Sequence, residues 1–187
     1  MSFAEVFDKI IDSHEATAGG GSASAVAGAM AAGMAGMVAR LSQKKDYGFS
    51  PEKYEEIADE LDVLAKSLIE GAENDNKAFC MIKDAYALPK ADDAEKAKRT
   101  AAIQNAGVAA ATVPMNNGFL CKRVYELGKL MEGKSNPNAG SDLAMAIILS
   151  KDGITGCIMN IEANLPMIKD EAKKTEFEKQ IEILKNV

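Results

Sequence analysis

Tryptophan is absent from this 187-residue chain, and aromatic residues make up only 5% of it. A core must therefore come from Ala, Leu, Ile, Val and the ten Met residues. Histidine occurs once, at His14, and there is no Cys-x-x-Cys pair, which excludes a transition-metal site of the usual kind. The three cysteines, Cys80, Cys121 and Cys157, lie far apart inside apolar patterns and read as buried, reduced thiols. Surplus positive charge is missing too. The net charge is −6, which argues against a general binder of nucleic acid or of anionic membranes. No basic-then-apolar leader opens the chain, so the expected location is the cytoplasm. The one long uncharged run, Ala23 to Ala39, is dominated by Ala and Gly rather than Leu and Ile. It reads as a tightly packed helix of a soluble protein and not as a membrane span.

What stands out instead is Gly19-Gly20-Gly21-Ser22, directly ahead of that run. Three glycines allow positive φ and close approach of another group. Ser22 reads as an N-cap, and a helix start offers free N–H groups to anions or polar ligand atoms. A ligand-sized cleft at a tight helix end is the expectation.

The remainder reads as helices. Ser2 to Ser13 carries Phe3, Val6, Phe7 and Ile10 on one side, and the second helix runs from Ser22 to about Ser42. The latter has a bulky stripe of Met30, Met34, Met37 and Leu41, and a smooth strip of Ala29, Gly33 and Gly36. Pro51 opens a third helix whose stripe passes through Ile57, Leu61, Leu64, Leu68, Ala72, Asp75, Phe79, Ile82 and Tyr86. Further helices are expected over Asp92 to Met131, with a kink at Pro114, over Ser141 to Leu165, with a break at Gly153, and over Glu171 to Lys185. No segment alternates at period two. The expected class is all-α, an antiparallel helical bundle in one domain spanning residues 1–187.

Two polar groupings sit where apolar residues belong. Asp75 lies on the core stripe of the third helix, where a desolvated carboxylate suits acid–base chemistry or, more plainly, bridges buried backbone groups. Asp142, Ala146, Leu149, Gly153, Gly156, Asn160 and Asn164 share one face of a later helix if it is continuous. Two Asn one turn apart suit a heterocycle with donors and acceptors, or hydrogen bonding between helices. The run Gly128 to Ser135 matches the P-loop expression, but a helical pattern precedes it and Asn136-Pro137 follows, so nucleotide binding is set aside. The glycine turn lacks the preceding strand of a dinucleotide fingerprint.

In their order and spacing these pieces resemble the cyclodeaminase/cyclohydrolase family of folate enzymes. The marks are Gly19-Gly20-Gly21-Ser22, Lys44-Lys45-Asp46-Tyr47, Asp75 to Phe79, and Leu88-Pro89-Lys90. Val113-Pro114, Asn136-Pro137-Asn138 with Ser141-Asp142-Leu143, and Gly156 with Asn160 and Asn164 complete the set. The chain has Ala16 and Ala18 where the family usually has prolines before the glycines. The resemblance implies an all-helical homodimer acting on a one-carbon-substituted tetrahydrofolate, with no metal or organic cofactor. It implies Asp75, and after it Asp142, as the proton carrier. Asn160, Asn164, Asn138 and a carboxylate are implied for the pterin, Asn136 and the Gly19-Gly20-Gly21 turn as further substrate contacts, and Lys44, Lys45 and the N–H groups near Ser22 for the glutamate tail. Hydrolysis of 5,10-methenyltetrahydrofolate to the 10-formyl product is the first expectation, since no formiminotransferase part is attached. Formiminotetrahydrofolate cyclodeamination is the alternative, and a non-catalytic bundle binding folate or a protein is a third.

Overall fold

The computed structural model describes residues 3–187. The expected start of the first helix at Ser2, and the side chain of Phe3, lie outside the described residues. Six α-helices follow in order: α1 Phe3–Ile11, α2 Gly20–Ser42, α3 Pro51–Ala87, α4 Asp93–Leu130, α5 Gly140–Asn164 and α6 Glu171–Lys185. Short 3-10 turns at Pro137–Ala139 and Leu165–Met167 flank α5. No strand occurs among the described residues.

Local chemistry sets the helix starts. The Ser50 side chain accepts from the Lys53 N–H with Pro51 at the first position, and Asp92 accepts from the Glu95 N–H. Asp170 accepts from the N–H groups of Ala172 and Lys173 at the head of α6. The break expected at Gly153 does not occur, and helix continues on both sides of Pro114. Pro114 is buried inside a continuous α4, and Gly153 inside a continuous α5.

Helix α2 packs against α3, α4 and α5. Its buried side is almost wholly small: Ala25, Ala29, Ala32, Ala35 and Ala39 among others. Most of the bulky stripe points the other way: Met30, Met37 and Leu41 are exposed, while Met34 is partly buried against the core. The reason is distance. A Cβ on Gly28 would stand 2.4 Å from Cys121 Sγ, and one on Gly153 would stand 3.0 Å from the Ser24 carbonyl oxygen. Helices this close leave no room for methionine between them, so Met is displaced outward. Within the smooth strip, Gly36 is buried but Gly33 has nothing within 4 Å of its Cβ position. The larger side chains of the core come from the neighbours: Ile57, Leu61 and Leu68 on α3, Val124 and Leu127 on α4, Ile154 and Ile161 on α5. Outside this core, Arg123 grips Glu60 with two hydrogen bonds of 2.6 and 2.9 Å between α4 and α3. That pair is partly exposed and contributes about 1 kcal/mol or less.

Cys121 and Cys157 are buried and Cys80 is half-buried, all as free thiols. The Gly128 to Ser135 run begins in the last turn of α4, with helix and not strand before it.

Gly28→Ala is expected to lower stability by about 1–3 kcal/mol in equilibrium urea unfolding, because its methyl must displace the Cys121 sulfur. Combined with Cys121→Ala, the cost should be clearly less than the sum of the two single costs. Additive costs would mean that the sulfur is not the obstacle.

Candidate active site

The first turn of α2 meets the middle of α3 at Asp75. A Cβ on Gly21 would stand 2.2 Å from Asp75 Oδ1, so only glycine allows the carboxylate to come this close. None of Gly19, Gly20 and Gly21 has positive φ. Their use is nearness rather than a left-handed backbone. The helix also begins earlier than Ser22. Gly19 occupies the N-cap with no side-chain cap bond, and Ser22 lies inside the helix, fully buried. Freed from capping, the Ser22 hydroxyl donates to Asp75 Oδ2 at 2.8 Å, with the Ala72 carbonyl as a second acceptor at 3.1 Å. Burial pushes the Asp75 carboxyl above its ordinary value, and hydrogen bonds from the Ser22 hydroxyl and backbone N–H pull it part of the way back. The result is a carboxyl that can exchange a proton at the positive end of a helix.

Helix α5 supplies the opposite wall. It runs antiparallel to α2 and comes close because Gly156 faces Ser24, where a Cβ would stand 2.1 Å from the hydroxyl oxygen. That brings Asn160 to Gly20, whose Cβ position is 3.1 Å from the Asn160 amide nitrogen. The Asn160 amide N–H donates to the Gly156 carbonyl at 2.8 Å. The Asn164 amide donates to the Ala110 carbonyl at 3.0 Å and to the Asn160 carbonyl at 2.8 Å. With the Asn164 amide engaged twice and the Asn160 amide once by backbone, the two side-chain oxygens are left to accept. The resulting pocket, about 240 Å³, is bounded by the glycine turn, Asp75, Asn160 and Asn164, with Phe79 and Ile82 as an apolar side.

Some of this was not visible in sequence. Phe79 and Ile82 sit on the α3 stripe but serve as pocket wall rather than core. Thr17 and Ala110 line the pocket without any sequence signal. Asn76, buried beside Asp75, donates to the Thr17 carbonyl at 2.5 Å and ties the approach to the glycine turn onto α3. A polar residue next to Asp75 in the middle of an amphipathic helix was the available hint.

The other expected site residues lie elsewhere in the chain. Helix α2 spans 23 residues, about 33 Å at the usual rise. Lys44 and Lys45 follow its far end and line a separate, open hollow. Asn136 belongs to that end as well. Its N–H donates to Ser42 Oγ at 2.9 Å, and its side-chain oxygen accepts from the Asn138 N–H at 3.1 Å. Asn136 thus caps the 3-10 turn that leads into α5. Asp142 lies in the first turn of α5 and Asn164 at its last residue, so one helix face carries both but a helix length separates them. Within one chain, Asp75, Asn160, Asn164 and the glycine turn come together. Lys44, Lys45, Asn136, Asn138 and Asp142 do not join them. Among the described residues no group of three His, Cys, Asp or Glu side chains is arranged to hold a metal ion.

Comparison with known proteins gives this arrangement a context. The family model described as formiminotransferase-cyclodeaminase matches residues 3–183. A methenyltetrahydrofolate cyclohydrolase of Methylorubrum extorquens is 32% identical over 179 residues, 95% of this chain and 86% of that protein. The formimidoyltransferase-cyclodeaminase of Rattus norvegicus is 24% identical over 95% of this chain, which spans only 33% of that longer protein. The crystal structure of formiminotetrahydrofolate cyclodeaminase from Thermotoga maritima superposes with a TM-score of 0.84 at 28% identity, covering 99% of this chain and 88% of that one. From the family match and the cyclohydrolase relative together, the chain belongs to the formiminotransferase-cyclodeaminase family.

Proposed function

We propose that the protein hydrolyses 5,10-methenyltetrahydrofolate to 10-formyltetrahydrofolate, with Asp75 as proton carrier. The observation that carries this is the Asp75 carboxyl, mostly buried, shifted upward by that burial and aimed by Ser22 into a pocket with two amide acceptors. The cyclohydrolase relative from Methylorubrum extorquens supports the reaction.

The bridging carbon of the substrate sits in a cationic amidinium between N5 and N10. Ionised Asp75 stabilises that cation and takes a proton as water adds to the carbon. The neutral adduct then opens. The bond from N5 to the carbon breaks, N5 receives the proton back, and the hydroxyl loses its own as the formyl carbonyl forms. One water is consumed and one proton released. Asn160 and Asn164 accept from the N–H edge of the pterin, and Phe79 packs against its ring. No step requires a metal or an organic cofactor. The enzyme is proposed to act as a homodimer in the cytoplasm, where its three free thiols stay reduced.

A second reading is formiminotetrahydrofolate cyclodeamination, favoured by the Thermotoga maritima relative. N10 attacks the formimino carbon on N5 and ammonia leaves, which also needs a proton carrier at Asp75. Offering both substrates to purified protein separates the two. Decay of the methenyl chromophore above the uncatalysed rate is expected. Ammonia from the formimino substrate without that decay would select the deaminase, and binding without consumption of either would leave a folate-binding bundle.

Asp75→Asn should lower kcat by about 10²- to 10⁴-fold with an unchanged circular dichroism spectrum. The same variant should be more stable than the parent at neutral pH. A carboxyl whose pKa is raised in the folded state favours folding fully below its unfolded pKa and loses that contribution as pH rises through the folded value. The stability gain should therefore vanish at acidic pH, where Asp75 is protonated in both states. Near-normal turnover would remove Asp75 from the mechanism. Ser22→Ala takes away a donor that lowers the Asp75 pKa, so the acidic limb of the kcat/KM profile should move to higher pH. An unmoved limb would separate Ser22 from the titrating group.

A further inference from the structure

Three glycines in a row give the backbone more freedom than other residues would, so a pocket edged by Gly19, Gly20 and Gly21 needs that run held from outside. The head of α2 has no side chain for the task, since Gly19 stands at the N-cap without a cap bond. The hold comes from one turn of α3, which reaches both ends of the run. Downstream, the Ala72 carbonyl and Asp75 Oδ2 accept from the Ser22 hydroxyl at 3.1 and 2.8 Å. Upstream, the Asn76 side-chain amide donates to the Thr17 carbonyl at 2.5 Å. Ala72, Asp75 and Asn76 stand at positions i, i+3 and i+4, which makes them neighbours on the helix surface.

The chain upstream of the run is otherwise lightly tied. From Asp12 to Ala16 every residue is exposed or half-buried, and no helix forms. The hydrogen bonds of this strap stay near in sequence. The His14 N–H donates to Asp12 at 2.9 Å, the Thr17 N–H donates to Glu15 at 2.8 Å, and Lys9 of α1 reaches the Thr17 hydroxyl at 3.5 Å. Yet Ala16, Thr17 and Gly19 form the part of the pocket wall that lies outside a helix. Asn76 itself is a poor choice for stability alone. It is 1% exposed, and its side-chain oxygen is buried without a hydrogen-bond partner. A buried acceptor left unpaired carries a desolvation cost that an apolar side chain of similar size avoids. What the position gains from Asn is the donor.

We infer that Asn76 is a positioning residue of the folate site, clasping the upstream end of the glycine run so that strap and run stand fixed as the wall against which substrate binds. Ser22 and Asp75 close the other end, and Asp75 alone carries the proton. Adjacent residues on one turn of α3 thus divide the work. Loosening the downstream end disturbs the titrating group, whereas loosening the upstream end weakens binding and spares the chemical step. The part played in binding rests on the folate reading above; the clasp itself does not.

Asn76→Leu, close in size, is read in two ways. The first is amide hydrogen exchange on the protein without ligand. Amides from Ala18 to Gly21 should exchange at least about tenfold faster, those of α3 and α5 should keep their rates, and stability to urea should match or exceed that of the parent. The second is kinetic. KM for methenyltetrahydrofolate should rise about tenfold with kcat within about twofold of the parent, and the acidic limb of kcat/KM should not move. Unchanged exchange from Ala18 to Gly21 would overturn the inference. So would a fall in kcat at constant KM, or faster exchange throughout with lower stability, which would make Asn76 an ordinary core residue. Should Leu prevent folding, the smaller Asn76→Ala carries both readouts. A parent that consumes no folate would sink the folate reading, and the exchange rates would still decide the clasp.

Discussion

The proposed site depends on one close approach, the contact of the Asp75 carboxylate with the first turn of α2. A carboxylate can sit there only because Gly21 has no side chain, and it stays because Ser22 donates to it from one residue further on. The two requirements fall on adjacent residues and pull in the same direction. Burial drives the carboxyl toward its neutral form, while the donors and the helix end favour its anion. A group balanced between those pressures can both take and return a proton, which one that is fully solvated, or locked in an ion pair, does poorly.

The same economy of side chains organises the rest of the bundle. Helix α2 is central because it is thin. Its Ala and Gly face lets α3 and α5 reach it at distances where a methyl at Gly28, Gly153 or Gly156 would collide. Close helices hold Asn160 against Gly20 on one side and Asp75 against Gly21 on the other, so the pocket walls are positioned by core packing and not by loops. The cost is that Met30 and Met37 of α2 find no room inside and are left on the surface.

Much of this was legible before any coordinates. The helix order follows from period and punctuation, and α6 has the limits that its pattern suggests. Asp75 was conspicuous as a charge on an apolar stripe, and the Asn160–Asn164 pair as poor helix formers one turn apart. What sequence could not supply was which side of α2 faces inward. Periodicity marks a stripe of large residues, and large residues usually face the core. Here the interhelical distance inverts that rule, and distance is a property of the assembled bundle. The glycine turn was misread for a related reason. Its letters suit a left-handed backbone and a Ser cap equally well, whereas the folded helix starts two residues earlier and gives Ser22 another partner. Lys44, Lys45 and Asn136 fit a site by type, but only the length of α2 shows how far from Asp75 they stand.

The engaged amides of Asn160 and Asn164 have a chemical meaning of their own. Asn164 has given its amide to two backbone carbonyls and Asn160 has given one N–H to a third, so this wall offers mainly oxygen atoms. A reduced pterin ring carries N–H groups where an oxidised, fully aromatic ring carries bare nitrogen lone pairs. Against an accepting wall the first makes hydrogen bonds and the second sets lone pair against lone pair, leaving buried acceptors unpaired. Two asparagines that look like generic polar contacts therefore favour a donating face over one of bare lone pairs on whatever they meet.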